Sequence, residues 1–196
     1  PFKGYIEMED HAVWNISGDH KLADENPGTG AGGIVYAVVR DSGTINLPTT
    51  TASLILGDDA NRGAGWLVVQ GGNATVSLRR LRIDKGGVNA IIDATGFKPI
   101  AVAVDLTLNG TVFQHELDLD LGTGFMPPAG TVYDILTYGG VRNGNFTLAA
   151  EDVGAWDIIY DDVNKKIQAK LLPLPEPGSL GLLVLSVLAT LRRPRG

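Results

Sequence analysis

The chain has 196 residues, 44% of them hydrophobic and 19% charged, with 26 Gly, 10 Pro, no Cys and a formal net charge of −6. That suffices for one domain with an adequate core plus a small second segment, and it is too apolar for a disordered chain. The lack of Cys excludes a disulfide framework, a Cys-based zinc site, a thiol nucleophile and an iron–sulfur cluster, while Gly without a Gly-X-Y period excludes collagen and points to many tight turns.

The first residue is Pro1, and residues 1–16 carry no basic segment followed by an apolar one, so an export signal is expected to have been lost or trimmed. Gly28-Thr29-Gly30-Ala31-Gly32-Gly33 satisfies the dinucleotide string G-x-G-x-x-G, but Asn26-Pro27 stand before it and an apolar, strand-like run follows. A phosphate loop needs a strand before and a helix after, so this is a turn. Apolar runs at Ile34 to Val39, Leu54 to Leu56, Trp66 to Val69, Ala90 to Ile92 and Ile100 to Leu106 are bounded by Gly, Asn, Asp or Pro and predict short strands. In Arg79-Arg80-Leu81-Arg82 the charges alternate with an apolar residue, which predicts the solvent side of a strand. Excluding Glu176 and the three tail Arg, residues 1–175 carry −8, so no nucleic-acid partner is expected. Asn109-Gly110 is a candidate hairpin turn. Glu116-Leu117-Asp118-Leu119-Asp120-Leu121 alternates strictly, predicting three Leu toward a core and a row of acids, Glu116, Asp118 and Asp120, toward water. Further strands are predicted at Val132 to Tyr138, Trp156 to Tyr160 and Ile167 to Leu171, with a turn at Asn143-Gly144. The fold class is all-β.

Internal similarity sharpens this. Leu54-Ile55-Leu56-Gly57-Asp58 resembles Leu81-Arg82-Ile83-Asp84-Lys85 at an offset of 27, and Leu67-Val68-Val69 resembles Ala90-Ile91-Ile92 at an offset of 23. Short strands recurring with Gly-rich turns predict rungs of a parallel β-helix or solenoid, each rung too small to be stable alone. The rungs are expected over roughly 12–96 and closing strands over 97–171, an antiparallel cap being one form of that closure. An antiparallel sandwich is the rival architecture, favoured by the candidate hairpin.

The chain end differs in kind. Gly178 to Leu191 holds no charge and is followed by Arg192, Arg193 and Arg195, a membrane-type helix with a basic stop, although as a helix it reaches only ~21 Å against a hydrocarbon core of ~30 Å. Before it, Pro173-Leu174-Pro175-Glu176-Pro177 predicts a stiff extended stretch. Pro175-Glu176-Pro177, the apolar segment and the Arg cluster together resemble the PEP-CTERM sorting signal of exported bacterial proteins. The resemblance covers about residues 173–196, with a short apolar run and with Pro194 interrupting the cluster as departures. It implies a 1–171 exported passenger and a 172–196 sorting tail, an exosortase at the inner membrane as partner, transient anchoring there, and delivery to the cell surface or extracellular matrix. The strings SLILGDD and GAGWLVVQGGNATV are similar to Gly-rich solenoid passengers of such proteins, and residues 131–171 to the segments that close them.

Candidate chemistry is sparse. Asp118 and Asp120 are expected on one face about 7 Å apart, a spacing compatible with glycoside cleavage or with calcium; Asp58-Asp59 and Asp161-Asp162 are acidic turns. A solvated strand face explains the same residues, and no catalytic residue or cofactor is assigned. His11, His20 and His115 have no chelating spacing, and His115 is expected to point opposite to Glu116. Ser17 and Ser42 lie in predicted turns without a G-x-S-x-G elbow. Trp14, Trp66 and Trp156 with the five Tyr form a sugar-stacking platform only if several are exposed together. Two functions follow: a non-enzymatic surface or matrix protein for adhesion, or a glycan-binding or polysaccharide-active β-helix. Acids and exposed aromatics gathered in one groove along the rungs favour the second.

Overall fold

Nearly every strand alternates shielded and half-exposed side chains, as in β7 (Ala64–Gln70), where Gly65, Leu67 and Val69 are buried and Trp66, Val68 and Gln70 face outward. A computed structural model describes residues 3–23, 33–48, 52–57, 63–108 and 115–173. The apolar half of each strand is too short to enclose a core alone, so the chain stacks strands in three faces.

Face A runs β1 (Lys3–Met8), β4 (Ile34–Val39), β7, β10 (Gly86–Ile92), β13 (His115–Leu121) and β16 (Thr147–Leu148). Face B stacks β2 (Val13–Asn15), β5 (Thr44–Asn46), β8 (Thr75–Leu78), β11 (Ile100–Val102) and β14 (Val132–Tyr138), then β18 (Lys166–Leu171) and β17 (Trp156–Asp161). Face C stacks β3 (His20–Leu22), β6 (Ser53–Leu56), β9 (Arg80–Ile83), β12 (Leu106–Leu108) and β15 (Arg142–Asn143). The chain visits A, B and C in turn, and its neighbours within each face are parallel until β18, which pairs antiparallel with both β14 and β17. The architecture is all-β and solenoid-like, a coil of parallel sheets. Parallel pairing of successive strands overturns the sandwich alternative.

Stacked inward residues form continuous ladders. Leu22, Leu56, Ile83 and Leu108 align on face C, and Ala37, Leu67, Val88, Leu117 and Leu148 on face A. Leu54, Leu56, Leu67, Leu81 and Ile83 are at 0% exposure, each contributing about 1.5–3 kcal/mol of burial. At the corner between faces C and A, Gly57 has φ +78 and Gly86 φ +111, and a Cβ on either lies about 2 Å from a backbone carbonyl oxygen of Lys85 or Gly65. Only Gly fits there, because the rungs touch through bare backbone.

Leu54 lies opposite Leu81 and Leu56 opposite Ile83, so the 27-residue offset is the true register of face C. On face A the register pairs Leu67 with Val88 and Val69 with Ala90, an offset of 21 rather than 23. The slip is two residues, one strand period, which preserves the buried set. It arose because the polar Asn89 interrupts the apolar run of β10, so that Ala90-Ile91-Ile92 rather than Val88-Asn89-Ala90 resembles Leu67-Val68-Val69. Parallel pairing spans Lys3 to Leu148, beyond the expected 12–96, and the antiparallel closure reduces to β17 and β18. Asn109-Gly110 lies outside the described residues, but the strands on either side, β12 and β13, belong to different faces and do not pair as a hairpin. Leu121 is 37% exposed rather than buried, since β16 covers β13 only at Glu116 and Leu117.

The last rung is closed by side chains. Tyr160 Oη accepts the Phe146 N–H at 2.7 Å, Arg142 sits 4.4 Å above the Tyr160 ring and pairs with Asp162 at 3.0 Å, and Trp156 meets Tyr133 edge to face. Beyond β16, the 3-10 turn Ala150–Asp152 places Asp152 Oδ2 2.7 Å from the Leu119 N–H, so a carboxylate continues the face A ladder where strand backbone ends. No helix among the described residues is long and apolar enough to cross a membrane. The segment Gly178 to Leu191 and the motif residues Pro175, Glu176, Pro177, Arg192, Arg193 and Arg195 lie outside the described residues.

Candidate functional site

Parallel register converts distant sequence into rows across the outer side of face A. One row holds Tyr5, Tyr36, Trp66, Gly87, Glu116 and Thr147. The next holds Glu7, Val38, Val68, Asn89 and Asp118, and a third holds Gln70, Ile91 and Asp120. Tyr5 and Tyr36 stack with ring centroids 5.0 Å apart and planes 11° from parallel, matching the strand spacing beneath them. Gly87 leaves the position beside Trp66 without a side chain, and it cannot carry one, since a Cβ there lies 2.1 Å from the Glu116 carbonyl oxygen.

Tyr36, Trp66, Val68, Asn89, Ile91 and Asp118 line an open cleft of about 190 Å³. Along the strand order the rings of Tyr36 and Trp66 come from β4 and β7 at one end of the cleft and the Asp118 carboxylate from β13 at the other, with Val68, Asn89 and Ile91 from β7 and β10 between them. Asn89 Nδ2 donates to Asp118 Oδ2 and, at 3.0 Å, to Asp120 Oδ2, holding the two acids together. The reverse amide orientation sets a carbonyl against two carboxylates, so the network fixes the assignment. Asn89 Oδ1 is shielded from solvent without a partner: the amide serves the acids at the expense of its own acceptor.

The charges are poorly compensated. Burial pushes the Asp118 carboxyl above its ordinary range; the Asn89 bond opposes this, and Asp120 and Glu151 add to it. Burial likewise raises Asp152 to about 6 despite its bond from Leu119, with Asp118, Asp120 and Glu151 adding repulsion. Within the described residues no Lys or Arg forms an ion pair with Asp118 or Asp120.

The acid row of Glu116, Asp118 and Asp120 thus lies on one outer face as expected, and Asp118 belongs to a cleft rather than to a freely solvated surface. His115 points inward, opposite to Glu116, and is 6% exposed with its Nε2 unpartnered and its imidazole pushed down by burial. His20 packs edge-on against Trp14. Asp161 is spent on Asn164, and Asp162 on Arg142 and Tyr138, while Asp58 and Asp59 lie outside the described residues. No group of three or more His, Asp or Glu that could hold a metal ion occurs among the described residues. Trp156 is a core residue, whereas Tyr5, Tyr36 and Trp66 gather on face A.

Sequence reasoning missed Asn89, Asp152 and the alignment of Tyr36 with Trp66. A signal for the last was present: Tyr36-Ala37-Val38-Val39 and Trp66-Leu67-Val68-Val69 share the order aromatic, apolar, Val, Val and stand in register. Comparison with known protein families, with curated proteins and with solved structures gives no match.

Proposed function

We propose that this chain is an exported surface or matrix protein that uses the outer side of face A to bind polysaccharide, without cleaving it. One observation carries the reading: the rings of Tyr36 and Trp66 and the Asp118 carboxylate line one cleft that runs across the rungs. An aromatic wall takes the apolar face of a pyranose ring, and fixed polar groups opposite it orient the hydroxyls. Glycoside hydrolysis needs two carboxyl groups on opposite sides of the scissile bond. Here Asp118 and Asp120 are adjacent outward positions of one strand, tied to one amide on the same side, and only Asp118 lines the cleft. That geometry suits holding a sugar rather than breaking its linkage.

Export and sorting are read from the tail, where Pro175-Glu176-Pro177, the apolar segment and Arg192, Arg193 and Arg195 resemble the PEP-CTERM signal that an exosortase processes at the inner membrane. A polysaccharide-binding surface fits a protein delivered to the cell surface or matrix.

Affinity electrophoresis through gels containing neutral and amino-sugar polysaccharides tests the binding. Retardation in at least one gel, lost in Trp66→Ala, is expected; free migration in all of them contradicts the reading. Replacing Pro175, Glu176 and Pro177 by Ala should leave the coil folded and hold it in the inner membrane, and unchanged release to the surface contradicts the sorting role.

A further inference from the structure

Resting on the polysaccharide reading, we propose that the cleft formed by Tyr36, Trp66, Asn89 and Asp118 selects amino-sugar residues carrying a free, protonated amine, so that the ligand is a cationic, de-N-acetylated hexosamine polymer. The lining supplies the argument. It contains no basic side chain, and toward its β13 end the donors of Asn89 are already committed to Asp118 and Asp120. What remains on that side are carboxylate oxygens, which call for a donor.

An ammonium group held at the β13 end of the cleft donates charge-assisted hydrogen bonds to Asp118, while the rest of the sugar chain runs toward Trp66 and Tyr36, two and three strands away on β7 and β4. An acetamido group in the same place brings a carbonyl that finds no free donor beside Asp118, removes the charge and adds bulk to a cleft of about 190 Å³. Uronate polymers meet Glu116, Asp118 and Asp120 as like charges. Burial first, and then the neighbouring Asp120 and Glu151, raise the Asp118 carboxyl, and an ammonium donating to it favours its charged form. Rung spacing repeats the rows of face A every ~4.8 Å, so an extended chain lying across the strands passes from the rings of Tyr5 and Tyr36 to the acids of β13.

The test is calorimetric titration of the full chain, kept in mild detergent, with three hexamers: glucosamine, N-acetylglucosamine and galacturonate. The glucosamine hexamer should bind at least tenfold more tightly than the N-acetylated one at low salt, the galacturonate hexamer should not bind, and the preference should shrink as salt is added. Asp118→Asn, which keeps an acceptor for Asn89, should reduce the preference to within about twofold. Asp157→Asn, which removes the same charge from an exposed position on β17, should leave it intact. Equal or tighter binding of the N-acetylated hexamer overturns the selectivity and leaves polysaccharide binding standing. A preference that survives Asp118→Asn, or that falls equally in Asp157→Asn, shows attraction to net charge and overturns the assigned cleft. Failure of all three hexamers, and of the neutral polysaccharides, overturns both readings.

Discussion

The outer sides of faces C and A are built from the same alternation, yet they settle their charges in opposite ways. On face C, Arg80 pairs with Asp105 at 3.5 Å, Arg82 with the buried Asp84 at 2.7 Å, and Arg142 with Asp162 at 3.0 Å, so each guanidinium has a carboxylate across a rung or corner. On face A, Tyr36, Trp66, Val68 and Ile91 share a cleft with Asp118, and no Lys or Arg among the described residues pairs with Asp118 or Asp120. Face C is finished by its own chain, and at the β1 end of face A Glu7 likewise pairs with Arg40 at 3.0 Å, whereas toward β13 face A holds rings and acids without a cationic partner among the described residues. That difference separates a surface that serves folding from one that serves binding.

The comparison can be broken first at its shared base. Leu81, fully buried under face C, stacks between Leu54 and Leu106 of the rungs on either side. Leu81→Ala should cost about 2–5 kcal/mol in urea unfolding, while Trp66→Ala on the outer side of face A should cost about 1 kcal/mol and act on binding instead. A Trp66→Ala loss as large as that of Leu81→Ala makes face A structural.

A smaller effect concerns the acids. The Asp152 carboxyl gains its proton near pH 6 in the folded chain against an ordinary value of 3.8, so between those values the folded state holds more protons than the unfolded one. Its contribution to stability is full below the ordinary value and is lost as pH rises through about 6. Asp152→Asn keeps an acceptor for the Leu119 N–H and removes the charge. Thermal unfolding should therefore show a flatter slope between about pH 4 and 6.5, and a gain of about 1–3 kcal/mol at neutral pH. An unchanged slope contradicts the account of uncompensated acids.

The smallest effect is expected at Tyr5, which is 65% exposed and stacks on Tyr36 at the end of the row. Tyr5→Ala should weaken polysaccharide binding a few-fold and leave the unfolding midpoint within about 0.5 kcal/mol of the parent. A loss of binding as complete as that from Trp66→Ala moves the centre of the site toward β1.

Much of the fold was legible because β-coil cores repeat simple residues. Leu54 and Leu81 announce their pairing through matching neighbours, and Glu116 to Asp120 announce their faces through alternation. The face A offset slipped by two residues because Asn89 breaks the apolar pattern of β10, and only the close approach of Gly87 to the backbone of Glu116 shows why glycine is needed beside Val88. The site was legible in its acids and not in its assembly. Asn89 reaches Asp118 across 29 residues and Asp152 reaches Leu119 across 33, and such contacts depend on rung lengths set by corner turns. His115 was expected opposite to the water-facing Glu116 and lies inward, but apolar periodicity carried no sign that its Nε2 would be shielded without a partner.

The most direct test of the central claim uses Trp66 as its own reporter. Trp156 is buried and Trp14 lies on face B, so a ligand on the outer side of face A perturbs chiefly the fluorescence of Trp66. Titration of the full chain with a polysaccharide that retards it in gels should change tryptophan emission saturably, and the change should vanish in Trp66→Phe while weakened binding persists by calorimetry. Saturable binding with unchanged emission, or an emission change that survives Trp66→Phe, places the ligand elsewhere and contradicts the assignment of face A.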